Sequence, residues 1–217
     1  QFISDSAESL GSTYKNKKIG SIAPIHIFSF FPNKNITTGE GGVITLSNLK
    51  KYKLIKMLRN MGQSSRYHHK ILGYNYRMTD IAATIGIIQL KKINKILKDK
   101  EIIAKKYNKL FKNTSIQTPF IPSYVTQHAW YSYTIKFKKT NRDKLRSKLD
   151  KLGIETRVSF PNLHNQPFIK QYLNQKQNKL KNSRKIWKSL INIPIWSGLS
   201  SKKINFIANS IINEIKK

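Results

Sequence analysis

Cysteine is absent from the 217 residues, which excludes disulfides and thiolate metal sites and leaves packing and hydrogen bonds to hold the fold. The five histidines do not fall into a chelating pattern such as HExxH, and adjacent His68 and His69 alone make a poor chelate, so no metal is expected. Long apolar runs are missing as well. No segment approaches the roughly 20 apolar residues needed to cross a bilayer, and QFISDSAES lacks the charged and apolar regions of a secretory signal. These absences predict a cytoplasmic protein with no membrane partner.

Acids are scarce: 10 Asp+Glu stand against 41 Lys+Arg, a formal net charge of +31. Such an excess attracts nucleic acid or anionic membranes in a salt-dependent way. The basic residues, however, are spread along the whole chain, are mostly Lys, and accompany abundant Asn and Ile. No RNP, KH or zinc-finger signature is present, so the charge reads as compositional and no nucleic-acid partner is expected. Scarcity makes each carboxylate informative. Asp5, Glu8, Glu40 and Asp80 all lie in stretches that carry turn or cap signals.

At 39% hydrophobic residues, a chain of this length can bury one large core or two modest ones. QFIS reads as a strand end running into Asp5, and SAESLGSTY as a short helix or turn closed by Gly11. PIHIFSF and VITLS read as strands flanking the loop FPNKNITTGEGG, and NLKKYKLIKMLRN as a helix. Residues 62–78 lack a sustained period and read as a long ordered loop. Thr79 then caps one long helix or two consecutive ones, with Ile81, Ile85, Ile88, Ile96 and Ile103 at helical spacing. Beyond Pro119 and Pro122, HAWYSYTIKF alternates like a strand, NRDKLRSKLDKLG is a helix ended by glycine, and IETRVSF is a short strand. NQPFIKQYL, KLKNSRKIWKSLINI and SSKKINFIANSIINEIKK read as helical. The pattern predicts an α/β domain over residues 1–112, including a long bridging helix, and a smaller α+β domain over 113–217.

GEGG at 39–42 lacks the GxxxxGK[ST] spacing and precedes a strand, so it reads as a tight turn and not as a phosphate cradle. What remains is Asp5 after one strand, Ser29 at the end of the next, and Lys34 in the following loop. An amine to bond the cofactor aldehyde, a carboxylate for the pyridine nitrogen and a hydroxyl for the phosphate are what a pyridoxal phosphate enzyme requires. Taken alone, a loop lysine is ordinarily a solvated surface charge.

DSAESLGSTYKNKKIGS, FSFFPNKNITTGEGGVITL and GYNYRMTDIAATIGIIQLKKI, continued by GIETRVSFPNLHNQPF and INIPIWSGLS, resemble the DegT/DnrJ/EryC1/StrS sugar aminotransferases in order and over essentially the whole chain. The resemblance implies a type I pyridoxal phosphate-dependent aminotransferase fold, with part of the large α/β domain and the small α+β domain. It makes Lys34 the lysine of the internal aldimine, Asp5 the partner of the pyridine nitrogen and Ser29 a phosphate ligand. Glu8 falls where relatives often carry Gln or His near the cofactor 3-oxygen; an ionised carboxylate cannot donate there. Asn75 would reach the cofactor phosphate of the neighbouring subunit of a homodimer, although it also reads as a loop-capping amide.

Glu8, RYHHKILGYNYRMTDI and GIETR are most similar to the GDP-perosamine synthase branch. That likeness implies glutamate as amino donor and a GDP- or dTDP-linked 4-keto-6-deoxy sugar as acceptor, for surface glycan synthesis. His69, Arg157 and His164 are then candidate substrate contacts, with loop ordering and small-domain structure as their plainer roles. Trp130 and Tyr131 are expected in the core. Met61 stands where relatives have His, and the family places a glycine- and threonine-containing cofactor loop and a ring-stacking aromatic before the stretch that begins near Asp5. The competing reading is non-enzymatic: a catalytically inactive truncated product, or a basic nucleic-acid-binding module that keeps the remains of this fold.

Overall fold

The computed structural model describes residues 2–138, 140–172 and 180–216. It divides into two units, Gln1–Lys98 with Ile121–Tyr131, and Asp99–Phe120 with Ser132–Lys217.

In the first unit, β1 (Ser4–Asp5), β2 (Thr13–Tyr14), β3 (Lys17–Lys18), β4 (Ile25–Ser29) and β5 (Gly42–Leu46) precede α1 (Leu49–Arg59). The sheet at its centre has the order β1-β4-β5, with β1 parallel to β4 and β5 antiparallel to it. Asp5 pairs with Ile27, and Ser29 with Gly42. Ile25, His26 and Phe28 of β4 are buried, whereas Ile27 points the other way and is exposed, the alternation a strand imposes on its side chains. His26 joins the two parallel strands: its Nε2 accepts from Ala23 N at 2.8 Å, which leaves Nδ1 to donate to Ser6 Oγ at 2.9 Å. Burial lowers the pKa of this imidazole and favours the neutral form that the two bonds require.

Residues 62–78, read as a loop, contain a hairpin of β6 (Gln63–Ser65) and β7 (His68–His69). The turn residue Tyr67 takes a left-handed φ of 63°, which hydrophobic periodicity does not reveal. Gly62 and Gly73 bring two chain segments together: a Cβ on Gly73 would lie 2.1 Å from Gly62 N, and one on Gly62 1.7 Å from Ile71 O. Neither position has room for a side chain. The helical run after Thr79 is two helices, α2 (Asp80–Lys91) and α3 (Ile93–Phe111). Asn48 and Thr79 cap α1 and α2 by accepting from Lys51 N and Ala82 N, at 3.0 and 3.2 Å. Neither helix has a buried residue. Ile81, Ile85 and Ile88, whose spacing predicted the helix, are all exposed.

HAWYSYTIKF is not one strand. Its strand part is β9 (Tyr133–Lys136), preceded by an unexpected β8 (Val125–Gln127) that pairs with β2 in a β3-β2-β8 sheet. Residues 128–131 leave the strand path because Trp130 adopts a φ of 46°, a region bulky side chains avoid.

The second unit contains β9, α4 (Arg142–Lys151), a 3-10 turn (Leu163–Asn165), α5 (Pro167–Lys170), α6 (Lys181–Lys188), β10 (Leu190–Ile193) and α7 (Ser201–Lys216). LINI, read as the end of a helix, is a strand antiparallel to β9. Buried Ile191 and Ile193 alternate with half-buried neighbours, a pattern too short to separate from helix by period alone. IETRVSF contributes only a bridge between Arg157 and Asn192, and NQPFIKQYL is helical over four residues. Its Leu173 lies outside the described residues. Tyr107 stacks on Phe111 and tilts against Tyr133. Ile204, Ile207, Ala208 and Ile211 of α7 join these residues in the core.

Candidate active site around Lys34

Lys34 occupies the loop between β4 and β5, and the loop is closed by its own backbone. Phe30 N donates to Gly41 O at 2.9 Å, Thr38 N to Phe30 O at 3.0 Å and Lys34 N to Phe31 O at 3.0 Å. Ile36 is 2% exposed and anchors the loop, while Gly39 and Gly41 adopt φ values of 79° and 147°. These glycines make the tight turn that their spacing indicates.

The Lys34 side chain is only 13% exposed, and its Nζ lies 3.3 Å from Glu8 Oε1. The same Nζ stands over the ring of Tyr131, 4.4 Å from its centroid. An ammonium so placed meets a carboxylate and the negative face of an aromatic ring. Beside it, Asn35 Nδ2 donates to Ala129 O at 2.7 Å, tying the lysine loop to the segment that carries Tyr131.

Asp5 and Ser29 end the two parallel strands, the end of an α/β sheet at which ligands bind. Asp5 is exposed and its Oδ1 accepts from Ala7 N at 3.1 Å. Ser29 Oγ accepts from Phe31 N at 3.3 Å, which leaves its hydroxyl hydrogen to donate. Asp5, Glu8, Ser29 and Lys34 thus belong to one unit, and Glu8 touches Lys34 directly.

The remaining candidates have other surroundings. Asn75 bridges Asn60 through its backbone and exposes its side chain. His69 donates from Nδ1 to Met61 O at 2.8 Å, so this imidazole orders its hairpin. Arg157 and His164 lie in the second unit. Arg157 Nε donates to Glu155 Oε1 at 3.3 Å on the surface, and buried His164 accepts through Nε2 from Arg184 Nε at 3.3 Å. Among the described residues no group of three or more His, Cys, Asp or Glu could hold a metal, and no helix is long and apolar enough to cross a membrane.

Trp130 is in the core as expected, at 2% exposure, but Tyr131 is half-buried and faces Lys34. Nothing in the alternation of HAWYSYTIKF distinguishes Tyr131 from the buried Tyr133. The distinction arises from the left-handed residue between them and the strand before.

The model of the DegT/DnrJ/EryC1/StrS aminotransferase family matches residues 1–212. The chain belongs to this family. It is 35% identical over 209 residues to GDP-perosamine synthase of Caulobacter vibrioides, covering 94% of this chain and 56% of that protein. It is 38% identical to an uncharacterized protein of Methanocaldococcus jannaschii, with 96% and 58% covered. Among solved structures, Helicobacter pylori PseC, an aminotransferase involved in the biosynthesis of pseudoaminic acid, superposes with a TM-score of 0.91 at 27% identity, covering 99% of this chain and 59% of that one. A Streptococcus pneumoniae protein described as a sugar aminotransferase, in its PLP form, gives a TM-score of 0.89 at 28% identity, covering 97% and 56%. The fold is that of the pyridoxal phosphate-dependent sugar aminotransferases, and the family implies that cofactor. The chain spans about 58% of the length of the curated relatives it matches.

Proposed function

We propose that the whole protein is a pyridoxal phosphate-dependent aminotransferase of keto sugar nucleotides, and that Lys34 is its cofactor lysine. The observation that carries the reading is the largely covered Lys34 side chain, whose Nζ is held against Glu8 and the ring of Tyr131 in the loop after β4. A surface lysine retained only for charge has no reason to be held this way.

The donor set fits the cofactor. Pyridoxal phosphate supplies an aldehyde carbon and an electron-accepting pyridine ring. Asp5 is an exposed carboxylate able to hold a protonated ring nitrogen, and Ser29 keeps a hydroxyl hydrogen for a phosphate oxygen. Lys34 would bond the cofactor aldehyde through its amine, with loss of water, and its ammonium form would return protons to the carbon being aminated or deaminated. Glu8 holds the charged form.

Glutamate as amino donor, and a GDP- or dTDP-linked 4-keto-6-deoxy sugar as acceptor, extend the reading toward surface glycan synthesis in the cytoplasm. The perosamine synthase names among the relatives favour this class. Asn75 would serve the cofactor phosphate of a second subunit in a homodimer, and its exposed side chain suits that role. His69, Arg157 and His164 are assigned to substrate recognition, with Arg157 suited to a diphosphate.

Full-length protein should change its absorbance on adding pyridoxal phosphate, and the change should vanish in Lys34→Ala. Glutamate with a panel of keto sugar nucleotides should then yield an amino sugar in the wild type alone. An identical spectrum in the variant would remove Lys34 from the role.

A further inference from the structure

We propose that Tyr131 is a positioning residue for Lys34, its ring face holding the lysine ammonium whenever that lysine is not bonded to the cofactor. The inference rests on the reading of Lys34 given above and concerns a residue to which neither sequence spacing nor composition gives a role.

The placement of Tyr131 is built, not incidental. Trp130 is buried at 2% exposure and holds a φ of 46°. Side chains other than glycine, and bulky ones above all, avoid this region, and such residues gather where a site requires a particular direction of the chain. The surrounding bonds fix the segment. Trp130 N donates to His128 Nδ1 at 3.0 Å, Ala129 N to Ser12 Oγ at 2.9 Å, and Asn35 Nδ2 to Ala129 O at 2.7 Å. The last of these starts from the residue next to Lys34. The lysine loop and the tyrosine segment are therefore joined one residue from Lys34 and two from Tyr131.

The contact selects charge. An aromatic face attracts an ammonium through its quadrupole and has little hold on a neutral amine. Nζ stands 4.4 Å from the centroid, on a lysine side chain that is only 13% exposed. Glu8, 3.3 Å from the same Nζ, has the same preference. A protonated Lys34 is thus held by both groups, and a neutral Lys34 is released to react. The phenol oxygen has no part in this, so phenylalanine should serve as well as tyrosine.

The test uses full-length protein without added cofactor and measures trace acylation of Lys34 by acetic anhydride relative to the other lysines, by peptide mass mapping. Tyr131→Phe should stay within about twofold of wild type, and Tyr131→Leu should acylate Lys34 about three- to ten-fold faster, the range set by a partly desolvated cation–π contact. Because leucine also changes shape, a fluorinated phenylalanine series at position 131 is decisive. Acylation should rise with each fluorine while ring size stays nearly constant, a trend that simple steric cover does not produce. A flat series overturns the proposal. Borohydride reduction with pyridoxal phosphate locates the cofactor lysine separately. Trapping on another lysine defeats the functional reading and the catalytic meaning of the contact together, whereas trapping on Lys34 with a flat series defeats the contact alone.

Discussion

Lys34 is distinguished by its two neighbours and not by its charge, since cationic side chains occur along the whole chain. The Glu8 carboxylate is 49% exposed, and half-exposed pairs of this kind contribute about 1 kcal/mol or less to stability. Glu8→Ala should therefore leave the urea midpoint nearly unchanged, with a stability difference below about 1 kcal/mol, while altering the response of the protein to pyridoxal phosphate. A large loss of stability would make the pair a structural bridge. Lys34, Asp5 and Ser29 could be singled out from residue type and strand order because each sits at the end of a recognisable strand or in the loop that follows. Tyr131 could not. Its role depends on the backbone angle of Trp130 and on a hydrogen bond from Asn35, neither of which leaves a periodic trace. The scarcity of acids did mark out Glu8, now found against the lysine.

At the scale of elements, local chemistry was legible and remote pairing was not. Asn48, Thr79 and Asn141 accept bonds from backbone N–H groups two or three residues ahead, so the starts of α1, α2 and α4 are written in a few adjacent residues. The strand β8 pairs with β2, more than a hundred residues earlier in the chain, and its three residues carry no alternation that could be recognised alone. β10 escaped for a related reason: Ser189 N bonds to Ile186 O at the end of α6, and the strand starts at the next residue. The crossing of Gly62 and Gly73 gives a test of an element that the sequence suggested only as a loop. Gly73→Ala drives a methyl group against backbone, which has little freedom to yield. We expect a loss of about 1–3 kcal/mol, read as a lower urea midpoint, together with faster exchange of the hairpin amides. An unchanged midpoint would mean that the two segments separate at small cost.

For the molecule as a whole, the two units differ in how they bury apolar surface. The second has an aromatic and isoleucine core of its own, whereas in the first α1 and α2 leave Leu49, Tyr52, Ile81, Ile85 and Ile88 exposed. A helix as apolar along its middle as DIAATIGIIQLK is ordinarily covered, and the proposed homodimer would cover it. Ile88→Glu in full-length protein should raise the dimer dissociation constant at least about 30-fold, as loss of a central contact does. A sedimentation profile unchanged by the substitution would place the subunit contact elsewhere. The hydrogen bond from Asn35 to Ala129 also has a meaning in time. It spans 94 residues of sequence, which a ribosome adds in roughly 5–20 s. Lys34, the proposed cofactor lysine, therefore leaves the ribosome long before the segment that sets its posture, and a nascent chain halted between them would carry the amine without its ring.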